Sequence, residues 1–271
     1  MSPLQSGSGR GLRALAFASS DGSAWGAALG DGERWSLVLG PADPAAPSEG
    51  ATAAPLRVSE EPGGGWRLER DADPGGAAVT LLVMPDAPPE FAGGPADAEL
   101  PPGAPFVPGE GPELCRVTGT ASGREIDWRG VRVTLAPARS AKDAPASARL
   151  VAGWLADDSA LALIAARPRR SDRPDGDAVS ATVFDPERWL AVSDPRLSTT
   201  YDGAGTPARV NLELWVGDGE HEYPRRAAAE AAGAPSAVAI EGTPTAALQA
   251  LPLRCHSHGE DGVGLYVLAT F

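Results

Sequence analysis

The chain has 271 residues, 42% of them apolar, with 33 Gly and 27 Pro. That is enough apolar material for one large core or two modest ones, punctuated too often for a bundle of long helices. Acids outnumber bases 36 to 23, and a net charge of −13 repels phosphate backbones and anionic lipid surfaces, which argues against a nucleic-acid partner.

The opening MSPLQSGSGRGLR carries no apolar segment with a cleavage site, so no signal peptide is read there. The longest apolar run, Ala160–Ala166, falls far short of the roughly 20 residues that span a bilayer. Two cysteines, Cys115 and Cys255, do not make a disulfide framework. A cytoplasmic protein with no membrane span, no cofactor and no metal is the expectation.

In chain order, Leu12–Ser19 and Trp25–Leu29 flank Ser20-Asp21-Gly22-Ser23 and predict a hairpin, Asp-Gly supplying the positive φ of a tight turn. Arg34–Leu39, Leu56–Ser59, Trp66–Glu69 and Ala78–Met84 follow as short strands, the last two separated by Asp73-Pro74-Gly75-Gly76. Pro85–Glu113 holds nine Pro, five Gly and six acids with no base. It is expected to be an extended acidic loop, without a packed core or a ladder of hydrogen bonds.

Leu114–Ala121 and Arg124–Trp128 pair across Ser122-Gly123. Along Arg124–Leu135 the apolar parity changes, from Ile126 and Trp128 to Val131, Val133 and Leu135, which predicts a bulge or bend at Arg129-Gly130. Pro137–Ser147 is a second linker. Arg149–Arg167 is the most apolar stretch, two runs about Asp157-Asp158-Ser159. It reads as a hairpin apolar on both faces, with Leu150, Ala152 and Trp154 on one and Val151 and Leu155 on the other. A short helix Ala160–Arg167, capped by Ser159 and stopped by Pro168, competes with that reading.

After an exposed loop at Arg167–Asp177, strands are expected at Ala178–Phe184, Arg188–Val192 and Arg209–Val216, with a turn at Asp202-Gly203-Ala204-Gly205. In Arg209–Val216 the aliphatics Val210, Leu212, Leu214 and Val216 oppose Arg209, Asn211, Glu213 and Trp215. Pro224–Ala232 is the best helix by propensity, although its neighbours are all β. Val238–Ile240, Leu251–His256 and Gly264–Phe271 end the chain as strands.

The two hairpins align at an offset of 136: Arg13 on Arg149, Ala16 on Ala152, Asp21 on Asp157, Ser23 on Ser159, Ala24 on Ala160. Glu33-Arg34-Trp35 recurs as Glu187-Arg188-Trp189, and Cys115 and Cys255 stand 140 apart. The order of these matches argues for a duplication. It gives an all-β chain of two lobes, residues 1–136 and 148–271, with the cysteines in separate lobes. The Trp154 hairpin, apolar on both faces, then belongs where one lobe packs on the other.

Arg124–Gly130 (REIDWRG), the Trp154 hairpin, and Ser180–Val183 with Asp185-Pro186 resemble the two-lobed lipocalin-like proteins. That group includes AttH-type proteins, carotenoid 1,2-hydratases and, more distantly, tocopherol cyclases. The resemblance implies two antiparallel barrels and an apolar cavity for an isoprenoid or other lipid-like molecule. The family pattern has an acid and a His before Trp-Gly; here Asp127 and Trp128 are present, the His is absent and Arg129 intervenes.

Asp127 beside Trp128 is therefore one candidate acid, since a carboxyl in an apolar cavity stays protonated. The plainer reading, a surface Asp paired with a neighbouring Arg, weighs more. Glu213 is the second candidate. Were the aliphatic face of its strand turned outward, Asn211, Glu213 and Trp215 would line a lumen, against an ordinary solvent face. Trp128, Trp154, Asn211, Trp215 and Tyr201 are the expected ligand contacts. His256-Ser257-His258, with Glu260, Asp261 and His221, has the spacing of some metal sites, but lacks a clear further ligand. Binding of an apolar small molecule ranks first, and a hydratase or cyclase type of lyase or isomerase second. Carbohydrate binding through exposed tryptophans comes third.

Overall fold

The computed structural model describes residues 11–30, 35–41, 56–72, 78–86, 91–92, 111–136, 144–169, 176–217, 222–240 and 246–271. Outside them lie Glu33-Arg34, the turn Asp73-Pro74-Gly75-Gly76, most of both linkers, the core of the Arg167–Asp177 loop, and His221.

The first lobe contains β1 (Arg13–Ala18), β2 (Ala24–Gly30), β3 (Trp35–Pro41), β4 (Arg57–Glu61), β5 (Gly65–Arg70) and β6 (Val79–Pro85). After the two-residue β7 (Phe91–Ala92) come β8 (Glu113–Ala121) and β9 (Arg124–Thr134). The second lobe opens with β10 (Pro145–Leu155), β11 (Ala160–Pro168), β12 (Ala178–Phe184), β13 (Trp189–Tyr201) and β14 (Pro207–Gly217). It ends with β15 (Glu222–Ala231), β16 (Ser236–Ala239), β17 (Ala247–Ser257) and β18 (Glu260–Thr270). Among the described residues the one helical element is a three-residue 3-10 turn, Pro62–Gly64. No helix there is long and apolar enough to cross a membrane.

The eight strands of the first sheet run in the order β3-β2-β1-β9-β8-β6-β5-β4. The second sheet runs β12-β11-β10-β18-β17-β15-β14-β13, the same order with every strand raised by nine. A further pairing of β12 with β13, at Thr182–Ala191, Val183–Leu190 and Phe184–Trp189, closes these strands into a ring. The duplication is thus written in the topology as well as in the residues.

The turns show the physical reason for the residue matches. Asp21 Oδ1 accepts a hydrogen bond from the Ser23 amide at 2.9 Å, and Asp157 Oδ1 accepts one from the Ser159 amide at 3.0 Å. The first loop is one residue longer, because Leu15 pairs with Ala28 whereas Val151 pairs with Leu163. The offset therefore becomes 135 in the returning strand, and Ala24 and Ala160 are not strict equivalents. The Glu-Arg-Trp match is corrected more severely. Trp35 begins the third strand of its lobe and Trp189 the fourth strand of its own, so that echo is coincidental.

Three apolar clusters carry the packing. Leu15, Phe17, Leu68, Leu81 and Val117 fill the first lobe, and Val151, Leu163, Leu212, Leu214 and Leu253 fill the second. The third cluster is shared: Ala14, Ala16, Ala18 and Leu29 of one lobe meet Leu150, Ala152, Trp154 and Ile164 of the other. Alanines on the facing strands let the two sheets approach closely, while the larger residues fill the gaps. The hairpin β10–β11 is buried on both faces, one face in its own lobe and one in this seam. That overturns the competing helix over Ala160–Arg167.

Three other expectations are corrected. Pro224–Ala232 is not a helix: β15 pairs with β14 and β17 and turns Ala227 and Ala229 into the second core. Ladder hydrogen bonds and burial outweigh the helix propensity of Ala and Arg. The parity change in β9 needs no bulge, because its register with β1 and β8 is unbroken from Arg129 to Arg132. Ile126 and Trp128 face the first core, whereas Val131 and Val133 face the seam, where the strand runs beneath the second lobe. Finally, the acidic segment does make ladder contacts: Phe91 and Ala92 pair in parallel with Trp189 and Leu190 of the second sheet.

Candidate functional site

The β1–β2, β10–β11 and β17–β18 hairpins turn at one end of the molecule, and a cleft of about 950 Å³ opens there between the lobes. Trp128 and Val263 contribute apolar surface, with Trp154 and Leu155 beside them. Trp128 also touches Phe17, ring centroids 5.9 Å apart, which fixes its indole over the end of the first core. Trp154 is 5% exposed, and its Nε1 has no hydrogen-bond partner among the described residues.

Charged side chains frame that apolar surface. Arg116 Nε donates to Asp127 Oδ1 at 2.5 Å, and this bond holds the Asp127 carboxyl below the ordinary carboxylate range. Arg129 of the first lobe reaches across the seam, its Nη2 donating to the Asp158 carbonyl at 2.6 Å and its Nη1 approaching Asp158 Oδ1 at 3.4 Å. Asp158 presents that carbonyl because it sits at the hairpin tip with φ of 65°. Arg124, Asp21 and Asp261 complete the rim.

Three of the residues expected from sequence, Asp127, Trp128 and Trp154, come together in this cleft. The surroundings of Asp127 differ from those expected of a protonated acid. Its side chain is 58% exposed and its partner is Arg116, which is the plainer alternative weighed above. Arg116, Arg129 and Asp158 were not singled out by sequence reasoning. Arg116 stands opposite Arg129, and two residues from Asp127's own rung, only once β8 and β9 are in register.

Glu213 and Asn211 lie elsewhere, in a shallower groove of about 580 Å³ on the outer face of β13, β14 and β15. The aliphatic face of β14 turns inward, with Val210, Leu212, Leu214 and Val216 all in the second core. The lumen pictured for Asn211, Glu213 and Trp215 therefore does not form. Glu213 accepts from Trp215 Nε1 and from Arg226 Nε, each at 3.1 Å, and these two bonds keep its carboxyl low. Tyr201 is separate again, 49% exposed at the far end of β13.

The histidine motif also comes apart. His256 is on β17 and bonds Asp261 through Nδ1 at 2.9 Å, while His258 is in the following turn with φ of 53°. The two imidazoles do not share a strand face. Five of the seven tryptophans are buried and Trp128 and Trp215 are half-buried, which removes the exposed indoles that carbohydrate stacking requires.

Two solved structures match over nearly the whole chain. One is a protein assigned as an AttH from Nitrosomonas europaea, with 14% identity, a TM-score of 0.51, and coverage of 100% of this chain and 99% of that one. The chain shares its two-lobed lipocalin-like fold. The other is kievitone hydratase from Nectria haematococca, with 8% identity, a TM-score of 0.51, and coverage of 96% and 88%. At these identities the likeness is one of fold. No family model matches the chain, and no curated protein matches it in sequence.

Proposed function

We propose that this chain, in the cytoplasm, binds a small molecule with an apolar, isoprenoid- or lipid-like body in the cleft between its lobes. The observation that carries the reading is the convergence there of Trp128, Trp154, Leu155 and Val263 inside a charged rim. Pockets of about this volume suit drug-sized ligands, with an apolar floor for affinity and a few polar groups for orientation. The barrel interiors are poorer candidates, since aliphatic clusters fill both. Native mass spectrometry of freshly purified protein, and quenching of tryptophan emission by farnesol, test the proposal. Saturable uptake that Trp154→Ala weakens supports it; a bare apo mass with no farnesol response removes it.

The second reading is hydration or dehydration of such a molecule, favoured by the fold shared with kievitone hydratase. In that reading Asp127, kept ionised by Arg116, takes the proton released by the attacking water, while the proton added to the alkene carbon comes from solvent, so Asp127 is not the proton donor. Asp127→Asn is expected to abolish turnover of an isoprenoid alkene while ligand uptake persists. Glu213→Gln is expected to leave it unchanged, because Glu213 lies outside the cleft.

A further inference from the structure

The wall that the first lobe gives to the cleft is built along β9, whose even-numbered residues share a face. Ile126 is buried in the first core, Trp128 lies over the end of that core and reaches the cleft, and Arg124 stands exposed at the start of the strand. Arg124 and Trp128 are four residues apart, about 13 Å along an extended strand. At the inner end, one residue beyond Trp128, Arg129 ties the lobes together through Asp158. The outer end is open. Strands β8 and β9 join there through Ser122 and Gly123, with φ of 53° and 73°, and a Cβ added at Gly123 would meet nothing within 4 Å. The cleft therefore runs from a tied inner end, past apolar surface, to an open end that carries a guanidinium.

What distinguishes that guanidinium is its lack of a partner. Asp127 accepts from Arg116, and Asp158 from Arg129. Asp261 bonds His256, and Asp21 is held by the Ser23 amide and the Ser19 hydroxyl. Of the charged side chains that line the cleft, Arg124 is the one with no hydrogen bond or ion pair among the described residues. A cationic ligand would find every acid already engaged, whereas an anion finds a free planar fork of donors. The lining also limits the charge of that anion. It holds four acids, Asp21, Asp127, Asp158 and Asp261, against three arginines, so a head group of several charges would gain one guanidinium and be repelled by four carboxylates.

We infer that the ligand of the cleft is an amphipathic monocarboxylate, its carboxylate held by Arg124 at the open end and its apolar body running inward over Trp128 to Val263 and Leu155. The inference rests on the cleft reading above and adds the head group to it. Arg124 then sets specificity, since a guanidinium and a carboxylate match in a two-pronged contact that an alcohol does not make. The contact is exposed to solvent, which holds the preference to about tenfold.

Titration of tryptophan emission in the full chain compares farnesoate with farnesol, its uncharged match, and with farnesyl diphosphate. Farnesoate is expected to bind about tenfold more tightly than farnesol and more tightly than the diphosphate, with the margin over farnesol shrinking as salt is raised. Arg124→Gln is expected to bring farnesoate down to the level of farnesol and to leave farnesol unchanged. Arg254→Gln makes the same change of net charge at an exposed position on β17 outside the cleft and should leave the preference intact. Equal binding of acid and alcohol overturns the inference, as does a preference for the diphosphate. So does a preference for the acid that survives Arg124→Gln, or one that Arg254→Gln removes equally. Saturable farnesol uptake without any preference for the acid removes this inference and leaves the cleft reading standing, whereas uptake of neither molecule removes both.

Discussion

Asp21 and Asp157 are small side chains with a large influence, since each sets the turn of a hairpin on which its lobe is built. The Ser23 amide and, second, Ser19 Oγ donate to Asp21, at 2.9 and 2.7 Å, and these bonds bring its pKa from 3.8 to about 2. The folded state therefore prefers the ionised form. Its contribution is complete above the unfolded value and is lost as pH falls from about 4 to about 2. Asp21→Asn keeps the acceptor oxygen and removes the charge. Urea unfolding is expected to show the variant less stable near pH 5, by under about 1 kcal/mol for so exposed a group, and level with the parent near pH 2. A gap of constant size across that range would show that charge is not what the turn uses. At the cleft, Asp127 and Arg116 are exposed and their pair is screened by solvent, so Asp127→Asn should leave the urea midpoint close to that of the parent, measured the same way. That leaves the variant usable as a probe of function.

At the scale of strands, the pairing of β8 with β9 shows why a glycine is required. Gly130 lies opposite Cys115, and a Cβ added at Gly130 would meet Cys115 Sγ at 2.9 Å and Val117 Cγ2 at 3.1 Å. Gly130→Ala is expected to cost about 1–3 kcal/mol by overpacking, and Cys115→Ala in the same chain to recover part of it. Chemical denaturation of the four members of that cycle measures the coupling; strict additivity would show that the sulfur is not the obstacle. Much of the strand pattern was legible in the sequence, because Asp-Gly and Ser-Gly turns separate strands of clear apolar periodicity. The failures have a common physical origin. The Arg and Ala of β15 look helical in isolation, and only their pairing with β14 and β17 makes a strand of them. In β9 one strand faces two different cores, so its parity change records a neighbouring lobe rather than a bulge.

For the molecule as a whole, the shared core explains why the candidate site was only half legible. Trp128 and Asp127 follow from a motif and Trp154 from an apolar run, but the cleft that unites them exists because two sheets meet. The Arg129–Asp158 contact has no sequence signal, since its residues belong to different lobes. The same seam makes a prediction about cooperativity. Ala16 of the first lobe and Ala152 of the second, each 0% exposed, belong to one cluster. A charge placed at Ala152 loses its hydration without gaining a partner, and the cost falls on both lobes. In Ala152→Asp, amides of β1 in the first lobe are expected to lose hydrogen-exchange protection along with those of β10, although no first-lobe residue has changed. Trp154→Ala should act in the same direction, at about 3–5 kcal/mol for a large side chain removed from a core. If β1 keeps its protection while β10 loses it, the lobes are separate folding units resting on each other. If both weaken together, they unfold as one body. The cleft is then held in shape by the same contacts that stabilise the fold, and a ligand seated against Trp154 should raise the stability of both lobes together.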